Sequence, residues 1–327
     1  MNDTNSTHKT SSCIPNKHVF DYGKDTSFMF FGGLGVIGNI FIIILAVKYT
    51  KRKNLHYLII NMAVSDILIA VLYTTETSII FIPSKTPEVL AIIVCKSVDF
   101  VKNTAELLTL TTLLIISIER YRATKVVIGK KTSSKLKLVC IAWLVSMALS
   151  GFNLVFGYAT QSAPGLPFRC SHTLSNAEKV FDGFYFLKSM SLVFLYISVF
   201  IISVVTSVRL SNSNAIQENL SDEQRRRRAR RIMSAVRMVL CSLLVYSICY
   251  LPDFVEDSIK SIDPSITYGL SEECKDLQFF LMHILKVLNS SLSPLIYLVF
   301  LQDFRRAAKT FIWATRPNDS SQDNNNI

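Results

Sequence analysis

Residues 119–121 read Glu119-Arg120-Tyr121 and follow an apolar run from Leu107 to Ile118, so a carboxylate and a guanidinium stand together where a hydrophobic segment ends. Ionisable groups at the edge of hydrocarbon are costly unless they pair or perform work. The triplet therefore reads as a switch, with a snorkelling anchor as the plainer alternative. Asp66 lies in the middle of another apolar run, where a carboxylate needs a proton, a cation or a hydrogen-bonding partner. A further set of charges recurs in the segments around these: Glu76; Asp99, Lys102 and Glu106 at i, i+3 and i+7; Lys188; Asp253, Glu256 and Asp257; His283 and Lys286. Charges at that depth face one another or a water-filled cavity, and Lys102 with Glu106 could neutralise each other one turn apart. Acids outnumber bases in the set, which suits a ligand bearing Arg, Lys or a free amine. No nucleophile stands beside a base, and neither metal-ligand spacing nor a phosphate loop occurs, which argues against an enzyme.

The elements that must carry these groups are hydrophobic. Half of the 327 residues are apolar and 18% are charged, too few charges for an ordinary soluble domain. Apolar segments long enough for a hydrocarbon core of about 30 Å fall near 27–47, 56–82, 95–118, 137–158, 183–208, 235–257 and 278–300. Seven helices are expected, because backbone groups in lipid must be satisfied within the segment and strict alternation is absent. Basic clusters follow alternate segments: Lys48 to Lys53, Arg122 to Lys137, Arg225 to Arg231, and Arg305, Arg306 and Lys309. By the positive-inside rule these faces are cytoplasmic and the amino terminus is outside. The net charge of +11 thus complements anionic lipid and acidic partners, not nucleic acid.

The outer tail has no apolar signal region, so the first span is expected to serve as the insertion signal. It carries glycosylation acceptors at Asn2 and Asn5. Cys13, Cys95, Cys170 and Cys274 fall on the outer side, where disulfides persist. Cys95 and Arg120 lie 25 residues apart on one segment, roughly 37 Å at about 1.5 Å per residue, so they mark opposite faces.

Taken in order, these marks resemble the rhodopsin-like class of G-protein-coupled receptors. Beside Glu119-Arg120-Tyr121 and Cys95, the segments supply Gly38-Asn39, Asn61-Met62-Ala63-Val64-Ser65-Asp66, Trp143, Cys249-Tyr250-Leu251-Pro252 and Ser293-Pro294-Leu295-Ile296-Tyr297. The resemblance covers about 27–314. It implies an all-α bundle of seven transmembrane helices, with an extracellular tail over 1–26, the bundle over 27–300, an amphipathic interfacial helix over 301–314 and a disordered cytoplasmic tail over 315–327. It also implies a plasma-membrane receptor that activates a heterotrimeric G protein, with arrestin as a further partner. Four outer cysteines allow three pairings; the preferred one joins Cys95 to Cys170 and Cys13 to Cys274.

In the implied switch Glu119 holds Arg120 at rest, Tyr297 turns inward on activation, and the sixth helix hinges at Pro252 while Pro294 kinks the seventh. Tyr250 stands where the family usually has Trp. Family members often place an acid at the base of the sixth helix, but this chain has Arg230, Arg231 and Ile232. With that restraint missing, appreciable ligand-free signalling is expected. Asp66 with Thr109, Asn289, Ser290 and Ser293 resembles a sodium site, although Ser293 replaces the usual Asn. Monoamine receptors carry an Asp where Lys102 stands, and opsins a Lys where Val287 stands. The outer set of charges and the second disulfide are most similar to peptide receptors. A short basic or amidated neuropeptide is the expected ligand, ahead of a charged small molecule, a non-signalling scavenger or an ion-coupled transporter.

Overall fold

A computed structural model describes residues 13–50, 53–78, 85–124, 135–156, 158–161, 168–171, 178–211, 222–262 and 271–314. Asn2, Asn5 and the tail 315–327 lie outside the described residues, as does the side chain of Asp257. Among the described residues six helices are long and apolar enough to cross a membrane: α1, Lys17–Ile44, continued by a π-turn over Leu45–Tyr49; α2, Lys53–Ser78; α3, Glu88–Thr124; α5, Glu178–Ser211; α6, Asp222–Ile262; and α7, Glu272–Phe300. The remaining apolar helix, α4, Lys135–Ser150, is shorter. Its 16 residues rise about 24 Å, less than the expected segment 137–158 would give. After α4 the backbone turns at Gly151, makes one helical turn over Asn153–Phe156, and pairs Tyr158–Gln161 (β1) antiparallel with Phe168–Ser171 (β2). The amphipathic helix α8, Gln302–Ala314, follows the last span.

Helix α1 begins ten residues before the apolar segment because Asn16 caps it: its side chain accepts from Val19 N at 3.2 Å. Lys17 to Thr26, read from hydropathy as tail, are therefore helical. The Cys13–Cys274 disulfide fastens this start to the first turn of α7, and Cys95–Cys170 fastens the β-hairpin to α3. In the hairpin Ala159 faces Cys170, and Ala159 and Phe168 are buried with Ala91 and Cys95.

Three glycines on one stripe of α1 let it lie close to α2 and α7. A Cβ at Gly32 would stand 2.1 Å from Thr74 Oγ1, one at Gly35 3.0 Å from Ser290 Oγ, and one at Gly38 2.9 Å from Pro294 Cγ. Polar bonds register these helices with one another and with α3 and α4. Asn39 Nδ2 donates to Ser290 O at 3.0 Å, Ser290 Oγ to Asp66 O at 2.6 Å, Asn61 Nδ2 to Thr112 Oγ1 at 2.8 Å, and Trp143 Nε1 to Asn61 Oδ1 at 2.8 Å. The main apolar core lies toward the Arg120 end, around Leu58, Leu107, Leu110, Met238 and Tyr297. Phe194, Phe200, Ile201 and Val205 of α5 are exposed, as lipid-facing positions are. Phe304 and Ala307 anchor α8 in the core while Ile312 and Trp313 stay exposed. Phe311 meets Phe41 and Tyr49 edge to face.

Candidate functional site

At the disulfide end the expected ionisable residues converge, though not in the expected pairs. Lys102 of α3 is clamped between Glu76 of α2 and Asp99 of its own helix, each at 2.9 Å. Glu106 does not pair with Lys102. It meets Lys286 of α7 at 3.4 Å, and Lys286 also reaches Asp253 of α6 at 2.8 Å. The i, i+4 pairing thus gives way to partners on other helices, because side chains on the buried face of α3 point at α2, α6 and α7.

Tyr73 joins the two clusters. Its hydroxyl donates to Glu106 Oε1 at 2.5 Å and accepts from Lys286 Nζ at 3.2 Å, and its ring lies 5.4 Å from Lys102 Nζ. His283 closes the outer side, with Nε2 3.8 Å from Glu76 and its ring edge-on to Tyr73. Lys188 of α5 donates to Asn103 Oδ1. Glu256 is half-buried on α6, one turn beyond Pro252.

Glu106, Asp253 and Lys188 also line a cavity of about 360 Å³ between α3, α5 and α6. Apart from Ser189 and Ser247 its wall is otherwise apolar and aromatic, with Leu110, Leu192, Tyr196 and Phe254 around Tyr246 and Tyr250, which stack at 4.1 Å. The Lys286 ammonium lies 5.6 Å from the Tyr250 ring, so the residue that replaces Trp touches both the charged cluster and the cavity. The arrangement can hold a ligand with polar and apolar parts: buried charges orient, and the aromatic wall supplies area. Reading the sequence did not single out Tyr73, Asn103 or Tyr246. Tyr73 stands three residues before Glu76, on the same face of α2, and that spacing was the available signal.

Deeper in the bundle Asp66 is fully buried, and neither carboxylate oxygen has a hydrogen-bond partner among the described residues. Asn39 Oδ1 is in the same state. Ser290 bonds the backbone of Asp66, Ser293 donates to Asn289 O, and Thr109 lies 3.3 Å from Ser65 Oγ. Buried oxygens left without donors fit a hard cation held by carboxylate, amide and hydroxyl groups.

At the other end Glu119, Arg120 and Tyr121 are all half-buried in the last turns of α3. Glu119 makes an ion pair with Arg122 at 3.7 Å, a contact the sequence reading did not include. The Arg209 guanidinium of α5 lies 5.7 Å from the Tyr121 ring. Tyr297 is completely buried in the core, with no hydrogen-bond partner for its hydroxyl among the described residues. Pro252 and Pro294 both lie inside continuous helices, α6 and α7.

A family model described as the 7 transmembrane receptor (rhodopsin family) matches residues 38–297. Human prokineticin receptor 1 is 22% identical over 282 residues, which cover 82% of this chain and 69% of that receptor.

Proposed function

From the premise that the chain belongs to the rhodopsin family of seven-transmembrane receptors, which are signalling receptors and not enzymes, we propose a plasma-membrane receptor for a short basic or amidated peptide. The disulfide end faces outward and the Arg120 end faces the cytosol. The observation that carries this reading is the pair of shared lysines beside a largely apolar cavity. Glu76, Asp99, Glu106 and Asp253 stand against Lys102, Lys188 and Lys286, so the carboxylates are in excess. A ligand cation shares that excess, and its apolar part lies on Tyr246 and Tyr250. The cluster ties α2, α3, α6 and α7 together, so a ligand that changes its pairing biases how α6 sits. Arg120 and the cytoplasmic ends of the helices around it then engage a heterotrimeric G protein, and arrestin takes the same face. The similarity to human prokineticin receptor 1 supports the receptor reading.

The test is a screen of cells expressing the chain against a peptide library, with a sensor for each G-protein class. A response to a basic or amidated peptide, lost when Asp253 is replaced by Asn, is the expected result. Responses confined to non-peptide amines would transfer the site to a charged small molecule, a reading that the cavity's small-molecule dimensions also support.

Asp66 is proposed to hold a sodium ion together with Asn39, Ser290 and Ser293, with Thr109 and Asn289 nearby. The ion would supply the counter-charge that the buried carboxylate lacks and so favour the resting bundle. Thermal stability of the purified chain should rise with sodium relative to potassium, and Asp66→Asn should abolish that difference. An equal response in parent and variant would exclude the site.

A further inference from the structure

Two side chains of α6 reach carbonyl groups at the ends of other helices. Arg228 Nη2 donates to Ala123 O at 3.1 Å, and Ala123 is the next-to-last residue of α3. Ser234 Oγ donates to Phe300 O, and Phe300 is the last residue of α7. The final carbonyls of a helix lack intrahelical donors and carry the negative end of its dipole, so a guanidinium and a hydroxyl suit them. Around the two bonds, Ile232 and Val236 of α6 are buried with Leu210 of α5, with Ala123 and Met233 packed alongside.

Resting on the reading of the chain as a receptor whose sixth helix moves away from the third, we infer that Arg228 and Ser234 are the restraint on α6. They form a pair of cross-helix C-caps that stand in for the absent acid. Moving α6 outward uncaps α3 and α7 together, so both bonds favour the resting arrangement at once. Because the acceptors are backbone carbonyls, no side-chain change in α3 or α7 deletes them; the restraint is set from α6 alone. The ligand-free signalling expected of an unrestrained sixth helix therefore belongs to variants of these two residues and not to the parent chain.

The experiment uses the full chain in lipid nanodiscs, with spin labels at positions 48 and 227, both exposed, and reads the distance distribution without ligand. Arg228→Ala with Ser234→Ala should raise the ratio of long to short distances about tenfold, as expected for the loss of two caps. Arg228→Lys with Ser234→Thr, which keeps a cation and a hydroxyl, should restore most of the short population. Arg237→Ala, exposed on the same helix, should change nothing. Ligand-free nucleotide exchange on G protein should rise with the long population. A distribution for the double alanine variant that matches the parent overturns the caps whatever the signalling does. A shifted distribution with no exchange in any variant leaves the caps standing and overturns the receptor reading instead.

Discussion

Lys286 shows how a single residue organises the outer site. Its side chain is 8% exposed and lies between Glu106 and Asp253, so one ammonium is shared by carboxylates from two other helices, and Tyr73 also bonds to it. Removing one partner of a buried ion pair typically costs about 3–5 kcal/mol, whereas replacing the whole set by neutral groups is often harmless. Lys286→Met should therefore lower the thermal stability of the purified chain sharply, and adding Glu106→Gln and Asp253→Asn should recover most of it. A triple variant no more stable than the single one would show that Lys286 does not stabilise the bundle by countering these two carboxylates. The sequence made the members of this set legible, because intramembrane ionisable residues are few and each demands a reason. It did not make their pairing legible: i, i+4 spacing favours Lys102 with Glu106, and only the positions of α2, α6 and α7 reveal that other partners lie nearer.

Among the elements, α1 depends on small residues more than on its apolar content. Gly32, Gly35 and Gly38 face α2 and α7, and a methyl group at Gly38 would collide with Pro294, the residue that kinks α7. Gly38→Ala should destabilise the bundle by about 1–3 kcal/mol through overpacking. Gly33→Ala, with nothing within 4 Å of the added carbon, should be neutral or slightly stabilising. Melting of the two variants side by side checks this, and equal losses would refute the close-packed stripe. Helix identity was readable from hydropathy, while helix ends were not. Asn16 extends α1 beyond the lipid, and Gly151 stops α4 early, because caps and turns set boundaries that a hydrophobicity window cannot see. The β-hairpin was also missed, although Pro164-Gly165 between Tyr158–Gln161 and Phe168–Ser171 was the available turn signal.

At the scale of the whole molecule, a charged cluster stands at the end of the bundle that carries the two disulfides and a half-buried Arg120 at the other, with the Asp66 oxygens and Tyr297 in the core between them. The motifs that identify the family were legible because membrane insertion confines each of them to one helix. The restraint on α6 was not, since its acceptors are backbone carbonyls and no residue type announces them. Coupling between the ends is reciprocal, so bound G protein should tighten ligand binding by the factor with which the ligand promotes coupling. The most direct measurement is nucleotide exchange on purified heterotrimeric G protein by the chain in nanodiscs, for the parent and for Arg120→Ala, at equal amounts of folded receptor and with an activating peptide from the library screen. The parent should accelerate exchange on peptide addition while Arg120→Ala still binds the peptide and fails to accelerate. Exchange driven equally by both proteins would contradict the account.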